Sequence, residues 1–491
     1  MKRILCLALV LLMLLPMAIA CKKDEAPVES EGAGSDVAGS TESSGPVNLL
    51  DTIPAGNYGG KEFLITIESY RQKEVIAEEL TGEAENDTIY TWLQTINGRY
   101  GVNVKGQVPD GDFFTSMSTE ASSGAVSTAI YGHLAYELYK PVQARLYKNW
   151  HSMGNMIDLT AERWDQKVNK GVTWNGVMYG LTGDLGYSKL QGAMATFCNV
   201  ALLDEVGYTT DILYDMVEEK EWTFGMFESI VKDIYVDTDY NNKKSGGDTF
   251  GFVMISGNSH DVWFEQFGIA ITEQNETTGE IIPTLYNEQN DTLIRDLWSF
   301  LHENPGVFSW PNNSDHGPED TFFSQGRAAM ITTRLSYASQ FAKDLGTEAY
   351  GILPAPLKDY DQEDYYTKLF NEYAIWGVSK NILDADKDFI AHITDALCAE
   401  SSQTVYPQFY DILLKQRYSK DPATAKMIDI IMKNVNIDPT FLYYVVLDNY
   451  PELPRYMLRG STPPDLASEY GAISKTLPQK LADLYALHTD D

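Results

Sequence analysis

Lys61-Glu62-Phe63-Leu64-Ile65-Thr66-Ile67, read with the helix and strand signals downstream of it, decides the fold. The run is short, apolar and partly β-branched, and Gly59-Gly60 precedes it, so it reads as a strand. Beyond it, Ile89, Trp92, Leu93 and Ile96 recur at helical spacing and share one face. Asp87 stands before them as a candidate N-cap, and Asn97-Gly98 stands after them as a stop. Val102-Asn103-Val104 then reads as a second short strand. Strand, helix and strand in this order predict a parallel α/β unit, because parallel neighbours need a crossover between them.

The alternation continues outward. Thr173 to Leu181 predicts a hairpin turning at Asn175-Gly176. Ala193 to Cys198 reads as a buried strand, and Thr223 as the cap of a helix running from Trp222 through Asp233. Thr249 to Ile255, Ala328 to Thr333 and Ile375 to Ser379 are further strands, and Asp291 to Leu301 is an amphipathic helix. The last hundred or so residues are mostly helical, broken at Pro439, Pro451 and Pro454. No repeat and no Pro/Gly linker divides the chain. Two lobes that share the chain in alternation account for that.

The N-terminus is built differently. Met1-Lys2-Arg3 is a basic head, Ile4 to Ala20 is apolar, and Cys21 comes next. This is the layout of an export signal, too short and too broken by Pro16 for a comfortable spanning helix of about 20 residues. Leu15 to Cys21 resembles a bacterial lipobox, with Ala18 where Leu is preferred. The resemblance implies cleavage before Cys21 and acylation of its thiol by chains such as palmitate, with an uncleaved anchor helix as the alternative. Residues 1–20 are thus expected to be the signal, and 21–50, rich in Ser, Gly, Glu and Ala, a flexible tether.

Composition bounds the function. Across 491 residues, 37 Lys and Arg against 70 Asp and Glu give a net charge of −33. That excludes nucleic acid as a partner and adhesion to anionic lipid by charge. At 44% hydrophobic and 12% aromatic, the chain is too apolar for an acidic disordered segment. Cys198 and Cys398 remain after export, either as a disulfide or as two buried thiols.

Several blocks carry a family resemblance, in order and behind the lipobox. They are Asn175-Gly176-Val177-Met178-Tyr179-Gly180-Leu181, Phe197-Cys198-Asn199-Val200-Ala201-Leu202-Leu203 (with Val200 where Lys is usual), and Leu213 to Val217 running into Glu221-Trp222-Thr223. Phe323 to Met330, Tyr350 to Pro356, and Tyr406 to Asp429 complete the series. Together they resemble the extracellular solute-binding lipoproteins of family 1, the carbohydrate-type receptors of ABC importers. The resemblance implies an α/β, two-lobed, periplasmic-binding-protein-like (type II) fold with interlobe crossovers and a ligand cleft. It places 51–184 with 358–398 in the first lobe and 185–357 with 399–491 in the second. It implies a monomer, anchored through Cys21 at the outer face of the cell membrane or in the periplasm. Such a receptor passes a small solute, best read as an oligosaccharide, to permease subunits, without catalysis, cofactor or metal. A secreted carbohydrate-active enzyme, or the same fold binding a peptide or organic acid, stays open.

Sugars offer apolar ring faces and outward hydroxyls, so their sites pair aromatic platforms with charge-assisted hydrogen bonds. Such groups are expected at strand ends facing the cleft. Tyr70 and Arg71 directly follow the first strand, and Tyr131 follows Ala129-Ile130, where the family's nearby Asp is absent. Asp184 and Tyr187 lie on the first crossover; Arg334 and Tyr337 follow the Ala328 strand. Trp263 lies beyond the Thr249 strand, and Tyr443 and Tyr444 follow Pro439. With 30 Tyr in the chain, ordinary packing competes for each aromatic, as ion pairing does for each Arg. Asp237, Asp239, Asn241 and Asp248 have some of the spacing of a calcium loop, but Asn242 holds its Gly position and Asp248 replaces the bidentate Glu. No HExxH, CxxC or GxSxG occurs, and adjacent acids such as Glu78-Glu79 are weak grounds for a glycosidase.

Overall fold

Lys61–Ile67 is a strand, β1, whose last five residues are buried. Helix α1, Ala84–Tyr100, connects it to β2, Val102–Gln107, and the two strands pair in parallel. The helix runs past both sequence signals. Asp87 lies inside it and accepts the backbone N–H groups of Thr81 and Gly82, at 2.8 Å and 3.1 Å. Asn97-Gly98 does not stop it, because Tyr100 completes the buried face of Ile89, Trp92, Leu93 and Ile96. The stop is Gly101, whose φ of 56° suits a residue without Cβ.

This computed structural model describes residues 48–489 apart from 255–257, 276, 278, 310–318 and 411–421. The expected export signal, Cys21 and the expected tether up to Val47 lie outside the described residues. Residues 48–50, at the end of the stretch expected to be tether, belong to the folded body. The Asn48 side chain caps a short 3-10 helix, Leu49–Thr52, and Leu50 is buried.

In chain order the next strands are β3 (Ile130–Leu134), β4 (Tyr147–Lys148), β5 (Met194–Asn199), β6 (Tyr235–Val236), β7 (Thr249–Met254), β8 (Thr272–Gln274) and β9 (Ile281–Pro283). Then come β10 (Val307–Ser309), β11 (Ala328–Arg334), β12 (Tyr350–Leu353), β13 (Thr367–Lys368), β14 (Ala374–Ser379) and β15 (Val435–Asn436). One sheet has the order β2-β1-β3-β14-β4, and the other β10-β7-β11-β5-β12 with β6 beside β7. In the second, β5 runs antiparallel to both β11 and β12. The chain builds the first sheet through β4, crosses to build the second, and returns as β14. The outgoing and returning segments lie side by side. Leu181 and Trp376 exchange backbone hydrogen bonds of 2.9 Å, and Phe370 N–H donates to Gly192 C=O at 2.8 Å.

Every strand of the first sheet falls within 51–184 or 358–398, and every strand of the second within 185–357. The final stretch is less tidy. Helix Leu453–Arg459 packs on helix Glu288–Glu303 of the second lobe, whereas the turn Pro439–Tyr443 packs against Ala135–Glu137 of the first. An aromatic cluster also ties that turn to the first lobe: Trp174, Tyr179 and Tyr443 surround His488, with ring centroids 5.2–5.6 Å from it.

Elsewhere the local chemistry acts as its sequence suggests. Thr223 Oγ1 accepts from Met226 N–H at 3.3 Å and caps helix Phe224–Lys232. The hairpin reduces to one bridge, Trp174 to Val177, closing over Asn175 (φ 51°) and Gly176 (φ 74°). Cys198 and Cys398 are both buried and free.

Candidate functional site in the interlobe cleft

The C-terminal ends of β1 and β3 and the N-terminal end of β14 point the same way. So do the C-terminal end of β11 and the N-terminal end of β5 in the other sheet. Residues just past these ends meet between the two sheets. Arg71, after β1, donates to Glu74 at 3.2 Å, to Gln191 at 3.4 Å and to the carbonyl of Glu372. Arg334, the last residue of β11, donates to the carboxylate of the same Glu372 at 3.2 Å and to Tyr337 Oη at 3.4 Å. Its guanidinium lies 4.4 Å from the centre of the Phe370 ring. Glu372, on the returning crossover, therefore joins an arginine from each lobe.

Tyrosines line the space around this node. Tyr70 is 55% exposed, yet burial, then the carboxylate of Glu372, push its phenol well above the ordinary range, with Arg71 opposing. Open surface amid dense surroundings marks a concave wall. Tyr136, just past β3, is pushed up to about 12 by burial, then by Glu137, Glu372, Tyr444 and Glu68. Tyr444 stands edge-on to Tyr139 with centroids 6.2 Å apart. Burial raises its phenol, with Glu452, Tyr139 and Glu137 adding to the shift and Arg455 opposing. Behind it, Arg455 donates from Nε to Asp261 at 2.8 Å and from a terminal nitrogen to Glu452 at 2.7 Å. Aromatic faces interleaved with paired acids and arginines can stack on a sugar ring and hydrogen-bond its hydroxyls.

The sequence-expected residues divide. Tyr70, Arg71, Arg334, Tyr337 and Tyr444 are brought together here. Asp184 and Tyr187 sit on the crossover. Asp184 accepts from Ser402 Oγ at 2.8 Å, while Tyr187 is buried and stacked on Phe409, with centroids 3.6 Å apart. Three others face protein on all sides. Tyr131 is the second residue of β3, not the residue after a strand, and it packs between Phe113 and Tyr147. Trp263 sits on the short helix Val262–Gln266, which turns it inward onto Phe224, Phe227, Phe252, Phe267 and Phe300. Tyr443 is fully buried, its hydroxyl 3.0 Å from His488 Nε2.

Sequence reasoning missed Glu68, Tyr136, Phe370 and Glu372. Glu68 and Tyr136 carry the same signal as Tyr70, a position just past a strand. Glu372 precedes an antiparallel strand, where that signal does not apply.

Two other features are less suited to a site. A groove of about 1460 Å³ lies on helix surfaces of the second lobe, lined by Phe224, Glu228, Lys232, Asn287 and Glu303, and it contains none of the strand-end residues. Asp237, Asp239 and Asp248 do converge within 4.8 Å. Their oxygens are, however, taken by the amides of Thr238, Asn241, Asn242 and Ser245 at 2.7–3.2 Å. They form a set of polar turns.

No protein-family profile and no curated sequence matches the chain. Solved structures do. The sugar-binding protein MalE of Xanthomonas citri aligns at 11% identity with a TM-score of 0.57, over 86% of this chain and 98% of that one. The galacto-N-biose/lacto-N-biose I-binding protein of a Bifidobacterium longum ABC transporter, in complex with lacto-N-biose, aligns at 13% and 0.53, over 87% and 98%. An ABC substrate-binding protein of Listeria monocytogenes, in complex with cycloalternan, aligns at 14% and 0.51, over 87% and 98%. The chain has the two-lobed, periplasmic-binding-protein-like fold. All three neighbours are binding proteins, and each aligns over nearly its whole length. Among the described residues, no helix is long and apolar enough to cross a membrane.

Proposed function

We propose that this protein is a solute receptor that captures a carbohydrate between its lobes and delivers it to the permease of an ABC importer. The carrying observation is the node of Arg71, Glu372 and Arg334, in which both lobes contribute charge to one aromatic-lined cleft. Tyr70, Tyr136, Tyr337, Phe370 and Tyr444 supply the stacking faces. The fold supports the same reading, since its solved representatives include binding proteins in complex with maltotriose and with lacto-N-biose. A solute that prefers the closed arrangement of the lobes shifts the population toward it, and closure offers the permease a distinct surface. Acyl chains on Cys21 and the acidic tether would hold a monomer near that permease and raise its local concentration.

A thermal-shift screen of the full chain against mono- and oligosaccharides tests this. A sugar at a hundredfold excess over its Kd stabilises the native state by about 2.7 kcal/mol. A shift by a peptide or organic acid with none by any sugar overturns the ligand class, and glycan turnover overturns receptor for enzyme. Separately, Cys21→Ala is expected to move the protein from the membrane fraction to the soluble exported fraction. Unchanged membrane retention would overturn the lipid anchor alone.

A further inference from the structure

Beside the aromatic wall lies a donor set of different chemistry. One carboxylate oxygen each from Glu68 and Glu137 and one ring nitrogen of His133 lie within 4.8 Å of one another. Glu68 follows β1, His133 is the fourth residue of β3, and Glu137 ends the 3-10 turn after it, so adjacent parallel strands bring them together.

His133 is fully buried, with Phe113 edge-on at a centroid distance of 5.0 Å. Its Nδ1 lies 2.9 Å from the carbonyl of Leu134 and must donate there, since a carbonyl only accepts. In the neutral imidazole this tautomer leaves a bare lone pair on Nε2, and Nε2 has no hydrogen-bond partner among the described residues. A buried, unsatisfied acceptor is costly. An imidazole fixed through a backbone carbonyl on its far side is also how metal-ligating histidines are oriented.

Lys140 Nζ lies 2.5 Å from Glu137 Oε1, so an ammonium already holds one oxygen of that carboxylate.

We infer that Glu68, His133 and Glu137 form a binding site for a divalent transition-metal ion on the first-lobe wall of the cleft. Zinc fits best. Imidazole nitrogens and carboxylates are both zinc ligands, and three protein ligands leave a fourth tetrahedral position for water or an exogenous hydroxyl. Calcium, which takes six to eight oxygens, is poorly served by three groups that include a nitrogen. Zinc binding at these groups is independent of the sugar reading, because it needs no sugar in the cleft.

The test is competition for zinc between a chromophoric chelator and the metal-stripped full chain, without sugar. The expected result is one equivalent bound at micromolar affinity or tighter. Glu68→Gln and Glu137→Gln each weaken it about ten- to hundredfold, the effect common for altered metal shells. Lys140→Met removes the competing ammonium and tightens binding several-fold. That opposite sign keeps the inference falsifiable if a carboxamide variant fails to fold. Absence of zinc binding overturns it, as does binding that survives both Gln substitutions or disappears with Asp237→Asn.

Discussion

Two aromatic clusters in this molecule use the same residue types to opposite ends. In the second lobe, Trp263 meets five phenylalanines at centroid distances of 5.4–6.2 Å, with 1% of its surface exposed. In the cleft, Tyr70, Tyr136, Tyr337 and Phe370 are at least partly open and alternate with Arg71, Arg334 and Glu372. Rings against rings exclude water and hold a lobe together. Rings among charges keep a wet surface that a polar ligand can take over. Aromatic content alone does not separate the two; the charges between the rings do.

The comparison breaks most readily at Trp263. Trp263→Ala is expected to destabilise the protein by about 3–5 kcal/mol, the range for truncating a large buried aromatic. Ligand affinity of the folded fraction should stay within a factor of two. Urea melts and calorimetric titration read the two separately, and an affinity loss with intact stability would put Trp263 back in the site.

A smaller effect sharpens the same division at Tyr443. Burial lowers the His488 imidazole from 6.5 to about 4, against the carbonyl of Leu484. Between those values the unfolded chain binds a proton that the folded chain refuses, so stability falls as pH drops from about 6.5 to about 4 and levels off below. At about 1.4 kcal/mol per pH unit the His488 share reaches about 3 kcal/mol. His133 is lowered similarly, so His488→Gln should reduce the slope of melts between pH 6.5 and 5 by up to one proton, not abolish it. An unchanged slope would mean that the Tyr443 cluster is wetter than its burial indicates.

Legibility in the sequence differs between fold and site. The α/β alternation is readable because β1, β5, β7, β11 and β14 are largely apolar runs, and strands buried on both faces need such runs. The site is readable only where register is. Tyr70 and Arg334 sit at strand ends that the hydrophobic run itself defines. Tyr131 is misplaced because it lies inside β3 and not at its end, and four residues separate it from Tyr136, just past the strand. Trp263 is misplaced because a place beyond the Thr249 strand does not reveal the short helix Val262–Gln266 that turns it inward, next to an Asp261 spent on Arg455. Glu372 needs knowledge of which segment returns beside Leu181, a long-range pairing that no local pattern encodes.

Tyr70→Ala tests the open cluster from the other side. With 55% of the residue exposed, stability should change by less than about 0.5 kcal/mol, as for ordinary surface substitutions. Loss of a stacking platform should weaken sugar binding about tenfold, equivalent to about 1.4 kcal/mol. A large fall in stability with no change in affinity would make Tyr70 a packing residue and erase the distinction from Trp263.

The smallest expected stability change belongs to Glu372→Gln. The amide keeps an acceptor for Arg334 and leaves the backbone carbonyl that serves Arg71, so only the charge is removed. The Arg334–Glu372 side chains are 30% and 34% exposed, and a solvated pair of that kind contributes about 0.2–1 kcal/mol, less at high salt. The melt should therefore shift little, and the variant should lose part of the wild type's salt dependence. Glu372 also raises the phenols of Tyr70 and Tyr136, so both should titrate at lower pH in the variant. A loss of about 3 kcal/mol or more would instead match the cost of breaking a buried ion pair, about 3–5 kcal/mol. The node would then be a sealed hinge core, and the polar wall of the cleft would have to begin farther out, at Tyr136 and Tyr444.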